Sequence, residues 1–530
     1  MIALLVLLVA SLAAPAAGAQ DQAAPGEPDI VLPEVILRIE DFSVESLSGA
    51  APGEEDTLPP ARELPLPAGE EALLAEPPAP PAEGPDGQPA PARALAATAE
   101  LGAGTSNHLF SQVALHSLGE EPRFSLRFLH ETLDGMAGRS PGSGFDYRQE
   151  ELEGALKLRL GKASLDLEGS LHEGERGLQG QPAPAAISRL VRTGGLGAEL
   201  AWPFSEHWTL SAALNGSFAT ELLTVQSGQG LEELRGSPRL SLEVRTDRFW
   251  LAVDGRYAFQ VYEGQEAHRA GALARFGVEV SRSARLEGSG GWHWSQRSSP
   301  EHLLPFDLAL ILTPGSSLSI TASGGYRVEE LDLRELAEAY PWAAFPDPLE
   351  DDHGWFADFS ATYSLQRSFA LQAGVQLSFP RAAPWPQTAL NADGLFDLAQ
   401  VEAARAAVEA SLRWTPARDS YLSVLWRMEM LEVPPFQPGQ ELRVEGGLGS
   451  QKWGAHAALL FKMGYGPTTP GYTWTPELSL GAFFQPAEAV RLTAELEDLL
   501  SPLSQGGERL DWDPFLEPGI RGTFKVQINL

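Results

Sequence analysis

The sequence predicts an all-β protein: a transmembrane antiparallel β-barrel of about 22 strands, preceded by a disordered Pro-rich tail. Three observations carry that reading. From about residue 95 onward, segments of roughly 9–13 residues alternate apolar with polar. Short and long connections between them also alternate, and aromatic residues gather near the segment ends.

The alternation is clearest in Phe369, Leu371, Ala373, Val375, Leu377 and Phe379, with Gln372, Gly374, Gln376 and Ser378 between them. The closing segment repeats it, with Ile520, Gly522, Phe524, Val526, Ile528 and Leu530 set against Arg521, Thr523, Lys525, Gln527 and Asn529. Side chains on a strand point to opposite faces with period two, so each segment has one greasy and one wet face. Tight turns are expected near Gly161, 203–206, 246–248, 281–284, 314–316, 366–367, 416–418, 450–451 and 486–487, with a further one near 119–122. Longer segments fall at 131–146, 173–188, 220–237, 261–269, 296–302, 329–353, 380–403, 431–440, 464–472 and 501–516. Short periplasmic turns and long external loops are the asymmetry of outer-membrane barrels, and an even strand number puts both chain ends in the periplasm.

Aromatics such as Trp208, Trp250, Tyr257, Trp292, Tyr326, Tyr421 and Trp426 lie near strand ends, where an interfacial girdle wants half-wet rings. A soluble propeller would use shorter strands with a four-strand repeat, which is not visible. Charges of both signs fall on the wet faces: Lys157, Arg159, Asp166, Glu168, Arg239, Glu243, Arg245, Asp254, Arg256, Arg491, Glu495 and Glu497. In a closed cylinder these face the lumen as cross-strand ion pairs.

About 43% of the 530 residues are hydrophobic, yet after residue 20 no apolar run approaches the roughly 20 residues of a membrane helix. The net charge of -33 argues against nucleic acid as a partner, because phosphate neutralisation needs clustered Lys and Arg. The chain has no cysteine, which excludes disulfides, Cys-ligated metals and a thiol nucleophile.

Residues 1–19 read as an export signal, with an apolar run from Ile2 to Leu12 and a small-x-small site at Ala17-Gly18-Ala19. The alternative is an N-terminal membrane anchor, since no Lys or Arg precedes the apolar run. Residues 20–94 form an acidic, Pro-rich tail that cannot bury enough apolar surface to offset its chain entropy. One island near 29–40 differs. Its residues Asp29, Ile30, Val31, Leu32, Val35 and Ile36 have the character of a strand that docks on a partner's sheet edge, or that pairs locally with the barrel. The barrel is expected over 95–530.

No Gly-x-Ser-x-Gly, His-Glu-x-x-His or phosphate-binding glycine loop is present, so the chain does not read as an enzyme, and no cofactor or metal is expected. Loop 329–353 holds Glu329, Glu330, Asp332, Glu335 and Glu338, with a short helix expected over 331–339. Tyr340, Trp342, Asp351, Asp352 and His353 follow as candidates for contact with an external ligand. Loop 380–403, with Trp385 and an expected helix over 397–407, is the second candidate.

The last hairpin carries a family resemblance. Arg491-Leu492-Thr493-Ala494-Glu495-Leu496-Glu497-Asp498-Leu499-Leu500, a loop, and Glu517-Pro518-Gly519-Ile520-Arg521-Gly522-Thr523-Phe524 resemble the closing strands of TonB-dependent receptors, the 22-stranded outer-membrane transporters. The unit from Trp414 to Leu422 also looks like theirs, and Asp29 to Val35 looks like the short box those receptors offer to a TonB-like energising partner. The resemblance implies an outer-membrane transporter of small solutes, embedded in outer-membrane lipid. Two departures stand against it. The tail is too short and polar for the folded plug of that family, and the sequence closes on Leu530 rather than Phe or Trp. The competing expectations are a structural scaffold or adhesin tethered through its tail, and a barrel hydrolase acting on lipids or surface polymers.

Overall fold

The computed structural model describes residues 95–117, 122–181, 188–223, 230–296, 300–345, 350–365, 368–417, 419–464, 474–503, 512 and 514–530. The export signal, the tail and its box at Asp29, Ile30, Val31, Leu32, Val35 and Ile36 lie outside the described residues.

Strands β1 (Leu95–Gly104), β2 (Leu109–Ser117), β3 (Arg123–Asp134), β4 (Asp146–Leu160) and β5 (Ala163–Gly177) begin one continuous wall. It continues through β6 (Ser188–Pro203), β7 (Trp208–Leu223), β8 (Gly230–Arg245), β9 (Phe249–Tyr262), β10 (Gln265–Ser281) and β11 (Ala284–Gln296). Next come β12 (Pro300–Leu303) and β13 (Phe306–Gly315), which both pair with β11 as two pieces of one broken strand. Pro305 lies at the break, where a residue without an N–H cannot serve the ladder. After β14 (Leu318–Glu329) the chain leaves the wall for helix α1 (Leu333–Ala339) and the two-residue β15 (Ala343–Ala344). It returns as β16 (Asp352–Leu365) and β17 (Phe369–Pro380), and leaves again for β18 (Ala383–Leu390) and β19 (Phe396–Val401). The wall is completed by β20 (Arg405–Ala417), β21 (Ser420–Glu429), β22 (Gln440–Gly449), β23 (Trp453–Met463), β24 (Trp474–Ala487), β25 (Val490–Glu497) and β26 (Arg521–Asn529). β26 pairs antiparallel with β1, from Thr98 opposite Asn529 to Gly104 opposite Thr523, and so closes a 22-stranded antiparallel barrel. Closure satisfies every edge, which is the condition for a sheet to sit in hydrocarbon.

The faces fall as the alternation predicts. Leu308, Phe359 and Phe524 are each about half exposed although they sit mid-strand, because they point out of the cylinder. One outer band of aromatics, including Trp202, Trp208, Tyr363, Trp414 and Trp453, follows the turn end. Another, including Phe218, Tyr257, Trp292 and Trp355, follows the loop end. The separation from Trp208 to Phe218 is roughly 33 Å along a strand, which a tilt near 45° reduces to the height of a hydrocarbon slab. Inside, Lys157 pairs with Asp166 at 3.1 Å and Lys525 with Glu495 at 3.0 Å. Asp254 takes both Arg239, at 2.7 Å, and Arg275, at 2.8 Å.

Several bulky rings are accommodated by a glycine directly opposite. Gly194 faces Phe218, and a Cβ there would stand 2.2 Å from the ring; Gly447 and Tyr421 repeat the arrangement at 2.5 Å. Each glycine lets the ring lie flat on the sheet.

Three local expectations are corrected. Segment 261–269 is not a long loop: β9 and β10 run to Tyr262 and from Gln265, joined by Glu263 and Gly264 alone. Both have positive φ (49° and 73°), the type I′ geometry that suits the twist of a tight hairpin. Strands β4 to β10 reach 14–17 residues and are longer than expected. The segment 397–407 is not a helix but the end of β19 and the start of β20. Its Ala-rich composition favours helix, yet Ala406 and Ala407 are held by the ladder to Leu377 and Gln376 on β17. The helix expected over 331–339 is present as α1, with the Asp332 carboxylate accepting from the Glu335 amide at 2.8 Å.

Candidate functional site

A barrel of this girth has no dry centre of its own, so the place where apolar side chains collapse away from water is informative. In this protein that place is the loop end. Leu331, Leu333, Leu336, Tyr340, Trp342, Ala343 and Phe345 join Leu395, Phe396 and Leu398 in one buried cluster with Phe436, Trp512 and Phe515. These residues come from four separate connections and pack against the wall residues Ala219 and Tyr262. The Trp342 and Phe515 rings stack 3.9 Å apart, and Phe436 stacks on Trp512 at 4.9 Å. A three-stranded sheet welds two of the connections, with β15 parallel to β19 and β19 antiparallel to β18. The loops thus form a folded cap.

The segment that carries α1 folds inward. Its Leu333 amide donates to Glu233 Oε2 at 2.6 Å, and a Cβ on Gly195 would lie 3.7 Å from Arg334 Nη1. Glu233 and Gly195 are on the lumen faces of β8 and β6, since their neighbours Leu234 and Leu196 face outward.

Charged side chains pin this segment to the wall at both ends. At the leading stem, Glu330 accepts from Arg235 and lies 3.2 Å from Arg256 Nη2, while Asp332 is 3.6 Å from Arg235. At the returning stem, Asp351 takes a forked pair of bonds from Arg269, Nε to Oδ2 at 2.8 Å and Nη2 to Oδ1 at 2.6 Å. Ser295 donates to the same carboxylate at 3.0 Å. Gln260, with no exposed surface, accepts from Arg269 at 2.7 Å and donates to Glu233. His293 joins the stems: its Nδ1 accepts from Arg256 at 3.3 Å, so its ring proton sits on Nε2, 3.7 Å from Asp351 Oδ2. The other flank is held by Arg189, which is bound to Glu221 at 2.6 Å, lies over the Phe345 ring and donates to the Tyr340 carbonyl at 3.3 Å.

The residues expected to meet a ligand are distributed differently. Tyr340 and Trp342 are buried inside the cap, the Tyr340 hydroxyl donating to the Pro384 carbonyl at 3.3 Å. Burial raises the Tyr340 phenol above its ordinary pKa. Trp385 lies half-buried under the Arg405 guanidinium. The run Asp351, Asp352, His353 splits three ways. Asp351 turns to the wall arginine, Asp352 accepts from the Arg381 and Ala382 amides at 3.1 and 2.9 Å, and His353 turns outward to the Tyr326 hydroxyl at 2.8 Å. Reading the sequence missed Arg235, Gln260, Arg269 and Ser295, which gain meaning only when the inward loop meets β8 to β11. It also missed Phe436, Trp512 and Phe515, whose signal is an aromatic inside an otherwise polar loop.

No family model and no curated protein matches the chain. Solved structures do. The chain superposes on the copper transporter OprC at 12% identity, over 82% of this chain and 81% of that one, with a TM-score of 0.63. It is similar to the ferric enterobactin receptor PfeA from Pseudomonas aeruginosa at 9% identity, over 82% and 80%, with a TM-score of 0.62. The FrpB iron transporter from Neisseria meningitidis aligns at 9% identity, over 83% and 82%, with a TM-score of 0.65. The fold is that of the TonB-dependent receptor barrel. At these identities the likeness shows the fold alone. On this barrel the loops build the cap described above, with the α1-bearing segment pinned to the lumen wall.

Proposed function

We propose that the chain is an outer-membrane transporter of TonB-dependent type that takes up a small solute through the lumen beneath the loop-built cap. One observation carries this reading: a closed 22-stranded barrel whose mouth is covered by a set of loops packed on one another. The solved structures it resembles include copper and iron transporters, which supports uptake as the role. The chain would begin with a cleaved signal over 1–19 and continue as a periplasmic tail over 20–94. Its box at Asp29, Ile30, Val31, Leu32, Val35 and Ile36 would add as a strand to an energising partner's sheet. Loop residues around Tyr340, Trp342, Asp351, Asp352, His353 and Trp385 would then form the outward-facing solute contact as the cap opens.

The test is uptake by cells that express the full chain, compared with a chain lacking residues 20–93. Accumulation of a metal chelate or other small solute that is lost on deletion, with the envelope intact, supports energised transport. Envelope defects with unchanged permeability would instead support a scaffold or adhesin tethered by the tail.

A further inference from the structure

Other lumen arginines find carboxylates on the wall itself, on a neighbouring strand as Arg239 and Arg275 do with Asp254, or on their own strand as Arg427 does with Glu429 and Arg443 with Glu445. One patch differs. Arg235 on β8, Arg256 on β9 and Arg269 on β10 take carboxylates from the inward segment: Glu330 and Asp351, with Asp332 a more distant third at 3.6 Å from Arg235. We propose that these three arginines, with Ser295 and His293, form a binding site for a polycarboxylate anion, occupied in this structure by the protein's own Glu330 and Asp351. The segment 331–345 is then a gate that the arriving anion releases by displacing its two stems. The proposal rests on the transport reading and names the class of solute for it.

The chemistry is specific. Arg269 presents two parallel N–H groups to Asp351, the fork geometry that suits a carboxylate, and Ser295 adds a third donor. Arg235 and Arg256 share Glu330 between them. One wall carboxylate, Glu233, is in contact with the patch, and it is engaged by Gln260 and the Leu333 amide. Withdrawal of the gate therefore takes Glu330, Asp332 and Asp351 away from three guanidinium groups that face the lumen. Such a patch within low-dielectric walls draws anions strongly. The stems are also neighbours. Arg256 reaches both Glu330 and His293 Nδ1, and His293 Nε2 lies 3.7 Å from Asp351 without a hydrogen bond to it, so the two stems meet the wall through adjoining side chains. A free anion carrying two or three carboxylates can replace both stems at once, whereas a monocarboxylate replaces one.

The experiment uses the full chain in planar bilayers, with propane-1,2,3-tricarboxylate added on the loop side and the neutral propane-1,2,3-triol as control. The tricarboxylate should raise open probability by about tenfold or more, and the triol should not. The double variant Glu330→Gln with Asp351→Asn should stand open without any anion. Arg269→Gln should abolish the response to the anion. Ser295→Cys with Asp351→Cys, clean in a chain without native cysteine, tests the stem directly: the oxidised pair should stay shut in tricarboxylate and respond after reduction. Folding of each variant is checked by its electrophoretic shift on heating. The proposal is overturned if the tricarboxylate leaves the wild type unchanged, or if the double variant stays closed. Cellular uptake separates the two readings. A gate that answers the anion without uptake of any solute refutes transport and leaves the site standing, and uptake indifferent to both stem variants refutes the site and leaves transport standing.

Discussion

Trp342→Ala is the sharpest perturbation of the cap. Trp342 is 1% exposed, stacks on Phe515 at 3.9 Å and lies under the Arg176 guanidinium at 5.2 Å. Truncating a buried Trp costs about 3–5 kcal/mol, part of it the cavity left behind, and the lost stacking contributes about 1 kcal/mol to that range. The cost falls mainly on the cap: Trp342 packs in its core and meets the wall at the Arg176 side chain, at the loop end of β5. The cap should therefore open about a thousandfold more often, from a change near 4 kcal/mol, while the strands keep their ladder. Hydrogen exchange reads this directly. The Tyr340 amide, bonded to the Leu336 carbonyl at 2.8 Å, should lose protection by about that factor. Amides in β4 to β10 should keep theirs. Unchanged exchange at Tyr340 would refute the packed cap, and equal loss in the wall strands would refute its independence.

Other consequences concern the wall and the helix. Leu310→Arg places a charge at mid-height on the outer face, midway between the bands of Trp355 and Tyr363, and should destabilise the folded barrel in lipid by about 2–4 kcal/mol, measured by denaturant titration in vesicles. Ala309→Arg, one residue along and facing the lumen, should cost far less; equal costs would argue against the assignment of faces. Glu335 on α1 has its pKa raised by burial and by the nearby Asp332, Glu329 and Glu338, against a smaller opposing pull from Arg235. A carboxyl with a raised folded-state pKa favours the folded form below its ordinary value and loses that contribution as pH rises through the raised one. Glu335→Gln should thus protect α1 more at pH 7 and make little difference at pH 4, as read by exchange at the Leu336 amide.

The wall was legible because its rule is local. Phe369 to Phe379 and Ile520 to Leu530 alternate with period two, and both sets of oily residues do face outward. The hairpin at Glu263 and Gly264 is hidden in the sequence because polar residues there look like loop, whereas β9 and β10 continue up to it with Gln260, Gln265, Glu266 and His268 in the ladder. The Ala-rich stretch after Asp397 misled through helix propensity, which a ladder to β17 overrides. The cap was scarcely legible. Its core gathers residues as distant as Leu178 and Phe515, and no spacing in the chain announces such contacts. The arginines of the lumen patch look like any alternating charge until the loop supplies Glu330 and Asp351.

The two parts of the molecule are held by different solvents. The outer face of the wall loses its apolar surface to lipid, and its backbone groups have no alternative partner in hydrocarbon, so the ladder is expensive to open there. The cap collapses out of water, and its stability is ordinary hydrophobic burial against chain entropy. Urea weakens burial by solvating apolar and peptide groups in water, and it has little access to the bilayer interior. Cap and wall should therefore melt as separate transitions in vesicles. Fluorescence changes from Trp342 and Trp512 inside the cap should come first, with a shallow slope fitting its small buried area. Loss of strand signal should follow at higher urea or not at all. A single transition shared by both signals would mean that the cap is part of what closes the barrel, and that an inward segment cannot leave its arginines without opening the wall.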